Sequence, residues 1–188
     1  MDFTSYAELA VRLVNTEGTG DGHDALATVD GYRDLVADHP HLSTRATIAD
    51  LDALGHLRSE LRGIFAAAAA GDDQDMATRL NALLARHPLH PEITRHDGRA
   101  WHVHLADSGT VADRYAAGAV LGLTSVVTTL GTDRLGSCAS ASCDRVFIDP
   151  TPGHTRRYCS DSCIAKANVT AFRRRRGPDT GRASSAAG

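Results

Sequence analysis

Every cysteine of this 188-residue chain falls between positions 138 and 163, in the pattern Cys138-x4-Cys143-x15-Cys159-x3-Cys163. Two close pairs separated by a loop of medium length is the spacing at which four thiolates reach tetrahedral positions about 2.3 Å from one zinc ion. The first pair encloses a small, turn-forming run, Ala139-Ser140-Ala141-Ser142. The second pair opens a helical pattern in which Ser160 caps, Cys159 stands at the entry and Cys163 lies on the first turn. Phe147 and Ile148 between the pairs read as a short strand covering the site. Knuckle, hairpin and helix in that order make a treble-clef-like module. Disulfides are the competing reading, but they need an oxidising compartment. The opening residues Met1-Asp2-Phe3-Thr4-Ser5 have neither the basic start nor the apolar stretch of a secretory signal. Four thiolates close the coordination sphere, so one structural Zn2+ is expected, with no open position for a catalytic water. His154 is the alternative ligand from within the loop.

Upstream of the cysteines the apolar residues recur every three or four positions, the period of a helix with one buried face. A first helix is expected over about 6–16, with Ser5 and Glu8 in capping-box relation and Leu9, Leu13 and Val14 on one face. A short one follows over about 30–38 and stops at His39-Pro40, because the residue before proline avoids helical angles. The longest pattern runs over about 47–70 through Ile48, Leu51, Leu54, Leu57, Leu61, Ile64 and Phe65 to a stop at Gly71. Asp72 and Asp73 cap a further helix with Met76, Leu80, Leu83 and Leu84 on its apolar face. The period then changes to two. Residues 92–95, the turn His96-Asp97-Gly98 and residues 99–105 predict a β-hairpin, with Trp101, Val103 and Leu105 on one face and His102 and His104 on the other. A last helix spans about 110–130. The fold class is therefore mainly α with one β-hairpin, an α+β chain. A helical body over 1–136 precedes a zinc module over 137–176, and a disordered tail over 177–188 is expected because that stretch lacks periodicity.

Charge is divided along the chain. Up to Ser137 there are 11 Lys+Arg and 19 Asp+Glu; from Cys138 onward there are 9 and 4. An acidic body joined to a basic module points to a polyanionic partner for the module. Arg145, Arg156 and Arg157 flank the cysteine pairs, and the helix after Cys163 runs through Lys166 to Arg173-Arg174-Arg175-Arg176. Arginine binds phosphate bidentately and donates to guanine edges. These eight side chains are the candidate nucleic-acid contacts, with the competing reading that arginines in a last turn simply complement the helix dipole. DNA is the expected partner. RNA is the weaker choice, because Tyr158 and Phe172 are the only aromatics placed to stack.

These residues carry a family resemblance. The run Cys138…Cys143-Asp144-Arg145-Val146-Phe147-Ile148-Asp149…Arg156-Arg157-Tyr158-Cys159-Ser160…Cys163…Ala171-Phe172-Arg173 resembles the CGNR zinc finger, with its Phe-x-Asp strand, its Arg-Arg-Trp-Cys-Ser approach and its basic helix. The part upstream is similar to the ABATE domain, through Leu13-Val14-Asn15-Thr16, Leu57-Arg58-Ser59-Glu60-Leu61-Arg62, Leu80-Asn81-Ala82-Leu83-Leu84-Ala85-Arg86 and the hairpin ending in Trp101. The signature Cys-Gly-Asn-Arg reads Cys163-Ile164-Ala165-Lys166 here, and Tyr158 stands where tryptophan is common. The resemblance implies a stress-related transcriptional regulator, with DNA bound by the finger and a sensing or dimerising role for the body.

The other constellations carry less. His102 and His104 share a strand face without neighbouring carboxylates and are read as solvent-facing. Asn15 and Arg58 are the candidate contacts for a small-molecule effector, against the reading of a helix cap for Asn15 and a surface ion pair for Arg58. The run Gly18-Thr19-Gly20-Asp21-Gly22 lacks the preceding strand and the Gly-Lys-Ser/Thr ending of a phosphate cradle. No nucleophile context stands out, so a non-enzymatic protein is expected, cytoplasmic and without a membrane span. An adaptor that uses the zinc module to hold a protein or ligand is the alternative, and a homodimer through the body is compatible with both.

Overall fold

The close approach of two helices organises the body. The computed structural model describes residues 4–17, 24–39, 42, 46–95, 101–105 and 109–176. Helix α1 (Thr4–Val14) lies against α5 (Val111–Leu130) at Gly122, where a Cβ would stand 2.1 Å from the backbone nitrogen of Ala7. Only hydrogen fits there, so the glycine allows backbone-to-backbone packing. The fully buried Tyr115 of α5 reinforces the contact by donating its hydroxyl to the Leu9 carbonyl at 2.8 Å.

The other helices wrap this pair. Between α1 and α3 lies the short α2 (Val29–Leu35), which places Tyr32 in the core, its hydroxyl donated to the Leu42 carbonyl at 2.9 Å. Helix α3 (Ile48–Ala69) buries Leu51, Leu54, Leu57, Leu61, Ile64 and Phe65 of the stripe its periodicity predicts, whereas Ile48, on the helix's first turn, is exposed. Helix α4 (Asp73–Arg86) buries Met76, Leu80 and Leu83. Asp72 caps α4 by accepting from the Asp75 N–H, and Thr110 caps α5 in a capping box with Asp113. Asp50 serves two helices at once. It completes the capping box of α3 with Thr47, and its other carboxylate oxygen accepts the Val111 N–H at the start of α5, 3.1 Å away. Among the described residues no helix is long and apolar enough to cross a membrane.

Three expectations shift. Helix α1 already includes Thr4, so Ser5 lies inside the helix rather than at its cap. Helix α2 starts one residue earlier than expected, capped by Thr28, and its regular bonding ends at Leu35. The hairpin is present as β1 (Glu92–Thr94) paired antiparallel with β2 (His102–His104), Ile93 opposite Val103. Its alternation is only partly realised: Leu105 is buried, whereas Trp101 precedes β2 and is 68% exposed. The loop 18–22, the hairpin turn 96–100, the tail 177–188 and the side chains of His102, His104 and Arg176 lie outside the described residues.

A second antiparallel pair, β3 (Leu135–Ser137) with β4 (Val146–Ile148), begins the cysteine module. Leu135 and Val146 belong to the same apolar core as the helices. The boundary read from sequence, between 136 and 137, therefore falls inside β3. The last element is α6 (Asp161–Arg176).

Candidate zinc centre and basic helix

The hairpin builds half of the centre. Gly136 faces Phe147 across the pair, and a Cβ at Gly136 would stand 2.6 Å from the end of the Phe147 ring. The end of the ring therefore occupies the space that a side chain at Gly136 would need. The ladder continues into the knuckle, where the Cys138 N–H donates to the Arg145 carbonyl at 2.9 Å and the Cys143 N–H closes a turn on the Ser140 carbonyl at 3.0 Å. The second pair is brought across by the Ala139 N–H, which donates to the Arg157 carbonyl at 2.9 Å, and by the Cys159 N–H, which donates to Cys138 Sγ at 3.5 Å. Ser160 caps α6 by accepting the Cys163 N–H on its hydroxyl at 3.4 Å. Cys163 is thus delivered on the first turn, as its spacing predicts.

The four sulfurs all lie within 4.8 Å of one another. The Cys143–Cys159 and Cys159–Cys163 separations are 3.6 and 3.7 Å. A tetrahedron with arms of about 2.3 Å has edges of about 3.8 Å, which these two separations match, and the other pairs all fall within 4.8 Å. Their electrostatics agree. Burial pushes the Cys143 thiol up and the Cys159 thiol up to about 12, while the Ser160 hydroxyl beside Cys163 brings that thiol down to about 7. Four thiols this close ionise together only around a cation, and Zn2+ provides the two positive charges. The residues fit one structural zinc ion. Among the described residues the converging donors are these four sulfurs; His154 pairs instead with Asp133.

A buried polar network fixes the loop between the pairs. The Asp149 carboxylate, 3% exposed, accepts the Thr151 N–H at 2.8 Å and the Arg156 N–H at 2.9 Å. Burial alone would raise its pKa, but the bonds from Thr151 and Arg156 together with nearby Arg134 hold it below the ordinary carboxylate range. Arg134, buried itself, donates to the carbonyls of Leu130, Asp149 and Thr151. Nothing in the apolar periodicity marks Arg134. The Phe-x-Asp pattern is the only signal for Asp149 in the sequence.

Three of the expected contact residues have hydrogen-bond partners within the folded chain. Arg156, counted among the nucleic-acid contacts, donates to the carbonyls of Ile148, Tyr158 and Cys159 and lies 5.0 Å from the centre of the Phe147 ring. Its guanidinium is committed to shaping the knuckle. Arg58 makes two bonds to Asp24, at 2.7 and 2.9 Å, and one to the Thr16 hydroxyl at 3.0 Å. Asn15 is bonded to the backbone of Val146. Both candidate effector contacts therefore work inside the fold. Arg62 joins them, bonding the Val14 and Asp144 carbonyls and Glu17, and so ties α1 to the knuckle. Arg156 is itself exposed, as are the other described candidate contacts Arg145, Arg157, Lys166, Arg173, Arg174 and Arg175.

Fold and centre together define a helical body joined to a four-cysteine zinc finger that ends in an exposed basic helix. The ABATE family model, described as "Putative stress-induced transcription regulator", matches residues 7–133, and the CGNR zinc finger model matches residues 134–176. The chain belongs to the ABATE family and carries a CGNR zinc finger with one structural zinc ion. No curated protein matches the sequence.

Proposed function

We propose that this protein is a transcription regulator that binds duplex DNA through α6, with zinc as the structural staple of the finger. The observation that carries the reading is the state of α6. Of its described side chains only Cys163 is buried and Ala167 half-buried. An isolated helix of this length is marginal in water, so α6 is held by its first turn and offers the rest of its surface to a partner. That surface ends in consecutive arginines, the chemistry that neutralises phosphate. The family's description supports the same reading. A closed four-thiolate centre leaves the zinc no open position for chemistry on a substrate.

The test is a fluorescence titration of the full chain against random-sequence duplex DNA over a range of salt. Binding that weakens steeply with salt is expected. Replacing Arg173–Arg176 by alanine should flatten the slope by about 0.9 for each phosphate no longer neutralised. A slope unchanged by those substitutions removes the arginines from the interface. No binding at low salt favours an adaptor that uses the finger to hold a protein.

A further inference from the structure

Helix α6 has two unlike faces. Cys163, Lys166, Thr170, Arg173 and Arg174 recur at three- and four-residue intervals on the side turned to the metal. Ile164, Ala165, Asn168, Val169, Phe172 and Arg175 share the side turned away from it. That outward side is exposed throughout, with Ile164, Val169 and Phe172 at 42, 49 and 51%. Phosphate binding alone would use cations here. A small residue, a carboxamide and branched apolar groups are instead what a helix shows to base edges, where alanine and other apolar groups meet thymine methyls and asparagine pairs with adenine N6 and N7.

We infer that the outward face of α6 reads base edges in the major groove of duplex DNA, with Asn168 as the adenine-reading residue. The inference rests on the DNA-binding reading above and adds sequence selectivity to it. Helix and groove match in size, each about 12 Å across. Asp161 is the only carboxylate of α6 and lies on the outward side, two turns before Asn168. Its charge keeps the first turn off the phosphates, so the reading segment begins near Ala165. Arg173 and Arg175 flank the face at its far end and reach the phosphates on either rim. Charge names DNA as the occupant: the arginines gathered at the far end of the face complement a phosphate backbone.

The experiment selects bound fragments from a random duplex pool, using the zinc-loaded full chain and its Asn168→Ala and Asn168→Gln variants, with affinity for unselected DNA and its salt slope measured in parallel. The expected result is a selected site containing an adenine whose replacement weakens wild-type binding by about 5- to 150-fold. Asn168→Ala should abolish discrimination at that position, while unselected-DNA affinity and salt slope hold. Asn168→Gln, which keeps the carboxamide, should restore part of it. Selection of no preferred site, or the same preference in Asn168→Ala, overturns the inference and leaves DNA binding standing. Failure to retain any duplex at low salt overturns both. Self-association of the wild type that Val169→Lys abolishes would assign the face to a protein contact and likewise overturn it.

Discussion

The Asn15 carboxamide closes a two-bond ring with the backbone of Val146: its nitrogen donates to the Val146 carbonyl at 3.0 Å and its oxygen accepts the Val146 N–H at 2.9 Å. A residue just past the end of α1 thereby extends the edge of β4 as another strand would. Because Val146 sits in the helical core and Cys143 lies three residues before it, the finger is oriented by the body. Asn15→Ala should leave both backbone groups of Val146 without their partner and destabilise the protein by about 1–3 kcal/mol. Urea denaturation measures the loss. Faster hydrogen exchange at the Val146 amide than at the Leu54 amide would locate it.

Acid should unfold the protein partly through Asp50. Burial alone would raise its pKa, but bonds from Thr47, Val111 and Ala112 bring it below the ordinary value. A folded-state pKa below the unfolded one contributes stability that is complete above the unfolded value, near pH 4, and is lost as pH falls through the folded value. Wild-type stability should therefore fall below about pH 4 more steeply than that of Asp50→Asn, which cannot ionise. Asp50→Ala should cost about 2 kcal/mol at neutral pH, because two helix N-termini lose an acceptor. Identical acid limbs for wild type and Asp50→Asn in a pH series of thermal melts would refute the assignment.

Two glycine-to-alanine substitutions should have opposite signs. At Gly122 the new methyl meets the Ala7 backbone, which cannot step aside without separating α1 from α5, so a loss of about 1–3 kcal/mol is expected. At Gly55, within α3, nothing stands within 4 Å of the new atom. There the smaller entropy of the unfolded chain and better helix propensity should stabilise by about 0.4–1 kcal/mol. Denaturant midpoints of the two variants against wild type decide it.

Removing zinc should melt α6 first. The helix is anchored by Cys163, and structural zinc contributes on the order of 10–16 kcal/mol in finger peptides. Chelation, or Cys163→Ser, should lower far-ultraviolet helicity by roughly the 16 residues of α6 while α1, α3 and α5 persist. Metal release read with a colorimetric chelator should parallel that change. Loss of all helical signal in one step would show instead that the hairpin carrying Leu135 and Val146 is indispensable to the body's core.

Much of this molecule is legible in one dimension because its determinants are local. The stripe of α3, the cap at Asp72 and the cysteine spacing each depend on residues within a turn or two of one another, where period and side-chain chemistry decide the outcome. The functions of Asn15, Arg58, Arg134 and Arg156 were not legible there. All are long polar side chains of the kind that serves ligands at a surface, and sequence alone presents them as available. Tertiary structure assigned them to backbone carbonyls, to the Val146 N–H and to Asp24, some more than thirty residues away, because a buried hairpin and a loop lacking regular strand bonds must find hydrogen-bond partners from other elements. The chain by itself determined that four sulfurs could grip one ion and that a basic helix follows them. Only the fold decided which arginines were left over to meet a partner.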